Sequence, residues 1–373
     1  MSLSKEGNGV FIATLILNAI GTIMIFSASA VFADKYLDDS LFFLKRQMVY
    51  LLLGFGALLT ASSINLNWVQ KHSRVILLLS IFFLILVFMP VLGKSGGGAR
   101  RWIGFPGFNF QPVEFAKLAV AIYLSDYLSR KMKWVQAGSL TVYLAPGVLL
   151  CTIFGVTILQ PDLGSVVFIF LLSSILFFLS GIPLRYVGML ILAALPIFAA
   201  AVIHSPYRMA RILAFLNPWA DPLGSGFQII QSFLAFALGG LTGVGLGESV
   251  QKLFYLPQSY TDFIFSIIGE EIGLVGTLFV LLTFVFLTLQ GLKIAKRAES
   301  NPFLQLLAFA VVCIIAFQAI INMLVTTGMI PTKGLPLPFI SYGGSAIIGN
   351  MAAIGILLAI DKQHMKQEVY EQT

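Results

Sequence analysis

The stretch GVFIATLILNAIGTIMIFSASAV, residues 9–31, decides the fold. It carries no charged residue, and a membrane-spanning helix needs about 20 consecutive, mostly apolar positions. Lys5 is the only basic residue ahead of it. Phe32, Ala33 and Asp34, which follow, make no strong cleavage site. The run therefore reads as a retained first helix rather than a signal peptide.

Working outward, the same reading predicts further spans at 47–64, 75–93, 112–129, 140–159, 164–181, 184–203, 272–292, 303–329 and 341–360, ten in all. The second, fourth and sixth are short or carry charges. Composition agrees: 58% of the 373 residues are hydrophobic and 10% charged, against about 45–50% and about 25% in soluble domains. So few charges could not cover a soluble surface of this size. The expected fold is all-α, a single integral membrane domain over 1–373. It is polytopic, with about ten transmembrane helices and a large outer loop, 204–271, between the seventh and eighth.

The net charge of +7 does not point to nucleic acid, because Lys and Arg are spread through short loops as topology signals. Twelve of them fall at one set of helix ends, among them Lys5, Lys71, Arg74, Arg130 and Lys362. Seven fall at the other: Lys35, Lys45, Arg46, Lys94, Arg100, Arg101 and Lys333. The imbalance places both termini in the cytoplasm. Cys151 and Cys313 lie in apolar runs with no disulfide or metal spacing. His72, His204 and His364 are scattered, so zinc is not suggested.

The 204–271 connection is rich in apolar residues, and a connection this long is commonly functional. Arg208 and Arg211 are three apart and share a helix face. Residues 227–238 are too short to span and read as an interfacial or re-entrant helix. Gly243, Gly245 and Gly247 are a weak signal for a phosphate cradle.

Several ionisable residues stand out. Asp262, followed by apolar residues that run toward the eighth span, has two readings. One is a partly desolvated acid with a raised pKa, suited to a general base. The other is a helix N-cap. Glu270 and Glu271 read as ordinary acids near a helix start. Glu114 and Lys117 lie three apart on a helix that Pro112 begins, either as a simple ion pair or as a functional group inside the membrane. Arg100 and Arg101 follow Lys94 and a glycine run. Flexible and basic, this segment suits either phosphate recognition, where Arg gives bidentate contacts, or lipid headgroups. Arg46 is a similar case. Asp162 sits in a Gln160-Pro161-Asp162-Leu163-Gly164 turn, where Asp commonly bonds backbone.

Together the motifs resemble the SEDS family of bacterial membrane proteins, to which FtsW, RodA and SpoVE belong. The resemblance rests on residues 98–103 (GARRWI), Gln111-Pro112-Val113-Glu114 with Lys117, Gln160 to Gly164, and Asn217 to Pro222. It continues through Thr261 to Phe265 with Gly269-Glu270-Glu271, and 334–345 (GLPLPFISYGGS). The short Gly247–Pro257 stretch and the Trp219-Ala220-Asp221-Pro222 turn look closer to FtsW and SpoVE than to RodA. Where the family commonly has Glu and His before the Thr-Asp pair, Gln258 and Tyr260 stand here, leaving Asp262 the only carboxylate of that turn.

The resemblance implies an inverting peptidoglycan glycosyltransferase that polymerises lipid II on the outer face of the bacterial cytoplasmic membrane. Asp262 would be the catalytic base. Arg46, Arg100, Arg101, Glu114, Lys117, Asp162, Arg208, Arg211 and Lys333 would form the substrate site for lipid II and for undecaprenyl-pyrophosphate-linked glycan. A class B penicillin-binding protein would be the partner. A divalent metal ion, Mg or Mn, would share the charge-offsetting role, although no ligand set is evident. The alternatives are a flippase for the lipid-linked precursor and a scaffold. Transporters often show repeated halves, and no internal repeat is visible here.

Overall fold

A computed structural model describes residues 3–96, 99–105 and 108–372. In chain order the helices are α1 (Lys5–Leu37), α2 (Phe42–Ser62), α3 (Leu66–Lys71) and α4 (Ser73–Leu86). The strands β1 (Gly93–Gly96), β2 (Ala99–Phe105) and β3 (Phe108–Phe110) follow. Then come α5 (Pro112–Gln136), α6 (Leu144–Leu159), α7 (Leu163–Leu179), α8 (Leu184–Ile203), α9 (Pro206–Leu216) and α10 (Phe227–Gly239). The chain closes with α11 (Ile264–Glu271), α12 (Gly273–Arg297), α13 (Pro302–Thr326) and α14 (Gly344–Gln372).

Each of the ten expected spans falls on a helix. Seven described helical stretches are long and apolar enough to cross a membrane by themselves. α1, at 33 residues, is about 50 Å long, well beyond the roughly 30 Å hydrocarbon layer. The other three are the third, fourth and sixth expected spans, so the second, expected to be short or charged, is corrected: α2 is long and apolar enough to span, and the third is the shorter one. α4 has 14 residues and α7 has 17, while α5 carries charges from Glu114 to Lys133. The third span also ends early: α4 stops at Leu86, and the chain turns into β1 by Gly93.

That turn leads to the one departure from an all-helical chain among the described residues. The basic segment expected to be flexible is paired in an antiparallel meander over its described residues, with Gly97 and Gly98 lying outside them. Lys94 pairs with Trp102, and Ile103 with Phe110. Its edge is tied to the bundle: Ser345 Oγ accepts from the Gln111 N–H (2.9 Å) and donates to the Asn109 carbonyl (3.1 Å).

α13 is the central post, touching α5, α7, α11, α12 and α14. It buries Phe303, Leu307, Ile315 and Ala319 among others. α8 lies at the other extreme. No described side chain of its apolar span is buried, so in a bilayer its Leu and Ile side chains meet lipid.

The two ends of the bundle are distinct. At one end Ser4 binds Asp361 through backbone (2.9 Å) and hydroxyl (2.5 Å), Arg297 pairs with Glu6 (2.5 Å), and Lys362 reaches Ser62. Both terminal regions therefore share that end. The meander and the 204–271 connection approach the other end through Ser345, Gln160 and Thr332.

The 204–271 connection is ordered helix and turn. α10 docks on α11 and α13: Ser232 Oγ meets Ser266 Oγ (2.6 Å) and donates to the Thr326 carbonyl (2.5 Å). The phosphate-cradle reading is corrected here for Gly243 and Gly245. The Gly243, Val244 and Gly245 N–H groups are already spent on the carbonyls of Gly239, Glu270 and Glu271. Gly243 holds φ +80°, and a Cβ there would lie 2.2 Å from the Glu271 oxygen. The glycine is required by close backbone packing, not by an anion.

Glu270 and Glu271 are also not solvated helix-start acids. They close α11, almost fully buried. Glu270 accepts from Ser249 Oγ and from the N–H groups of Val250 and Gln251. Glu271 accepts from Ser27 Oγ (2.6 Å) and pairs with Lys252 (2.9 Å). They stitch the 249–252 turn to α11 and α1. Two adjacent acids inside an apolar sequence were the available signal.

Candidate active site

Asp262 lies in the turn before α11, but it does not cap that helix. The capping position is Phe263, with no side-chain cap. The turn is held from three sides through its backbone. Asn322 Nδ2 donates to the Asp262 carbonyl (2.8 Å), and Ser341 Oγ donates to that of Thr261 (2.6 Å). The Tyr342 N–H donates to that of Tyr260 (3.0 Å). Asn322 also holds the Leu335 carbonyl (2.8 Å), and the Leu337 N–H donates to Ser341 Oγ (2.8 Å). The turn and the 335–342 segment are thus one unit, hung on α13.

This arrangement fixes the backbone and leaves the carboxylate free to act. A Cβ on Gly334 would stand 2.8 Å from Asp262 Oδ2, so glycine there keeps space beside the acid. Burial pushes the Asp262 pKa up to about 6, and the charges of Arg211 and Arg101 pull against that rise. A carboxylate at about 6 is a stronger base than a solvated one and is still ionised at neutral pH.

The cations are aimed by backbone carbonyls. Arg101 donates to Pro161 (2.5 Å) and Gln160 (3.4 Å), and Arg211 donates to Thr332 (2.9 Å). Lys333 follows directly, its stem lying against Gly164, where a Cβ would be 2.1 Å from its Cε. Burial lowers the Lys333 pKa to about 8, while Asp162 opposes the fall and Lys117 adds to it. Asp162 itself caps α7, accepting from the Ser165 N–H (3.1 Å) and hydroxyl (2.8 Å).

The other expected substrate contacts are placed differently. Lys117 is 1% exposed and Glu114 is 5% exposed. They pair at 2.6 Å, and Lys117 also donates to Gln318 (3.0 Å) over the Phe168 ring. They are interior groups rather than contacts open to a ligand. Gln318 in turn donates to the Pro336 carbonyl (2.9 Å), so the pair props up the segment that holds Asp262. Arg100 is exposed and, by strand alternation, faces away from Arg101. Arg208 is turned toward α8, donating to Ala201 (2.9 Å). Arg46 lies over Phe42 (4.7 Å) and beside Tyr342.

The structure thus brings together Asp262, Arg101, Arg211, Lys333 and Asp162, with Lys117 and Glu114 beneath. It does not bring Arg100 or Arg208 into that group. Asn322, Gln318 and Ser341 were not singled out in the sequence. The usable signal was two amides four apart on α13, since polar side chains inside a span are costly and face a partner.

The fold and this cluster define a polytopic membrane protein that gathers one free carboxylate and several cations at one end of its helix bundle. The chain belongs to the cell cycle protein family of FtsW, RodA and SpoVE, whose model matches residues 8–366. It is 45% identical over 351 residues to the probable peptidoglycan glycosyltransferase FtsW of Geobacter sulfurreducens, covering 94% of each chain. It is 41% identical to the stage V sporulation protein E of Bacillus subtilis, over 94% of this chain and 95% of that one. Among solved structures it is similar to a chain from a study of structural coordination of polymerization and crosslinking by a peptidoglycan synthase complex. The TM-score there is 0.78 at 29% identity, over 95% of this chain and 97% of that one. The rod shape determining protein RodA of Thermus thermophilus shares the fold, with a TM-score of 0.70 at 23% identity over 95% of this chain and 96% of that one.

Proposed function

We propose that this protein is an inverting peptidoglycan glycosyltransferase that polymerises lipid II, with Asp262 as its base. The observation that carries the reading is a carboxylate raised to about 6 beside Arg211 and Arg101, in a chain whose relatives carry that activity in their names. Asp262 takes the proton from the acceptor sugar hydroxyl as that oxygen attacks the anomeric carbon of the lipid-linked donor. The bond from that carbon to the pyrophosphate breaks, and its electron pair leaves with the pyrophosphate. Arg101, Arg211 and Lys333 offset the departing charge. The α-linked donor and β-linked product require one inversion, so a single base suffices.

The site faces outward from the bacterial cytoplasmic membrane, with both termini in the cytoplasm and 204–271 outside. A class B penicillin-binding protein is its partner. No cluster of three or more metal-ligating side chains occurs among the described residues, and the neighbours of Asp262 are cationic. The mechanism therefore routes no step through Mg or Mn. No observation favours the flippase reading.

The direct test supplies lipid II in detergent to the purified protein with its partner. Polymer is expected from wild type and not from Asp262→Ala. No polymer from wild type would sink the enzyme reading, and normal polymer from the variant would sink the assigned base.

The pH dependence follows from the two shifted groups. Asp262 must be ionised, so the rate is expected to rise with pH through about 6. Lys333 must be protonated, so the rate falls as pH passes about 8. Initial rates from pH 5 to 9.5 should trace a bell. Lys333→Gln should lower its maximum and remove the upper limb only. An upper limb retained in that variant refutes the role given to Lys333.

A further inference from the structure

We propose that a pocket at the end of the bundle holding the termini, opposite Asp262, binds the phosphate of an anionic phospholipid headgroup. The pocket is a cavity of about 400 Å³ between α3, α4 and α5, lined by Asn67, Gln70, Lys71, Arg74 and Arg130. Its place at that end follows from Ser62, which closes α2 just before α3 and is reached by Lys362.

The charge balance of the pocket is one-sided. Its single carboxylate, Asp126, is 2% exposed and already committed. It accepts from Ser73 Oγ (2.5 Å) and pairs with Arg130 (2.7 Å). That pair pins Arg130 at the rim. Lys71 and Arg74 are exposed and make no ion pair among the described residues. Three cations against one spent acid leave two positive charges facing a space that suits a phosphate group. Ser73 also begins α4, a 14-residue helix whose capping position, His72, gives no side-chain cap. The first N–H groups of α4 therefore add to the positive field.

The surroundings select a lipid as the source. Trp68 on α3 and Trp134 near the end of α5 are 51% and 60% exposed, and Trp68 stacks on His72 at 4.4 Å. Exposed tryptophans at helix ends mark the headgroup level of a membrane. Basic pockets between spans at that level take acidic headgroups. Lys71, Arg74 and Arg130 are three of the residues that orientation alone explains. Orientation requires only positive charge at this end, not its convergence on one cavity.

The test uses the purified, delipidated full chain in detergent. Its probes are phosphatidylglycerol, phosphatidylcholine and inorganic phosphate, read by retained lipid in native mass spectrometry and by melting point. Lys71→Gln with Arg74→Gln is expected to weaken phosphatidylglycerol binding about 30-fold, at roughly one order-of-magnitude step and a half for two charges. Asn67→Asp with Gln70→Glu, which removes no packing contact, should weaken it in the same direction. Lys293→Gln with Lys296→Gln, two exposed charges on α12 at the same end, should leave it unchanged. Equal loss in that control would overturn the site in favour of bulk attraction. Undiminished binding in both pocket variants would overturn it outright. A melting shift from inorganic phosphate as large as that from phosphatidylglycerol would overturn the lipid as ligand.

Discussion

Asp262→Asn is expected to lower the initial rate of lipid II polymerisation by about 10³-fold or more, within the range that removal of a positioned base produces. It should also make the protein more stable, not less. Asn keeps the shape of Asp, and the turn is held by the backbone carbonyls of Tyr260, Thr261 and Asp262, which the substitution leaves in place. The carboxylate is what the fold dislikes. Its folded pKa of about 6 lies above the unfolded value, so its stabilising share is complete at low pH and is lost as pH rises through about 6. Above that pH the ionised acid costs the folded state about 2 kcal/mol, after allowance for its partial exposure. Melting curves in detergent at pH 8 should therefore place Asp262→Asn a few degrees above wild type, and the gap should close as pH falls through about 6 and vanish only at about pH 3, below the unfolded pKa. A variant that is inactive because it melts lower at both pH values would contradict the assignment. Stability given up at the reacting group is what an active site predicts and a structural cap does not.

The second large effect concerns Glu114. Glu114→Ala is expected to destabilise the protein by about 3–5 kcal/mol, because it strands a buried cation. Lys117 is 1% exposed, and after the substitution the hydrogen-bond partner left to it among the described residues is Gln318 at 3.0 Å. The pair itself need not be a net gain over apolar packing. Hence Glu114→Leu with Lys117→Met should recover most of the lost stability. Activity should not recover with it. Lys117 holds Gln318, and Gln318 holds the Pro336 carbonyl in the segment that carries Asp262. With that prop gone, the maximal rate should fall about 10-fold or more while the substrate concentration at half-maximal rate changes little. Thermal unfolding and a saturation curve on the same preparations decide it. A double variant no more stable than Glu114→Ala would show that the pair is not the source of the cost.

The two effects differ in sign for one reason. Both groups are withdrawn from water, but Glu114 and Lys117 compensate each other at 2.6 Å. Asp262 has only the more distant field of Arg211 and Arg101. A paired charge holds the bundle together, whereas a poorly paired one is free to accept a proton and costs stability until it does.

The sequence by itself determined the membrane class and the places of the ten expected spans, seven of which the rule of about 20 apolar residues carries alone, because a span is a one-dimensional property of apolar length. It also determined which basic residues orientation leaves over, and the order of motifs that marks the family. Tertiary structure alone decided which leftover charges meet. Arg100 and Arg101 are adjacent in the chain, yet strand pairing sends only Arg101 to the Gln160-Pro161 turn. Arg208 and Arg211 share a helix, yet one is spent on Ala201 and the other on Thr332 beside Lys333. Spacing suggested a helix cap for Asp262, and contacts made across 60 and 80 residues, from Asn322 and Ser341, made it instead a fixed turn with a free carboxylate. Local pattern records what each segment needs from lipid and water. The chemistry depends on long-range hydrogen bonds, which leave no periodicity in the chain.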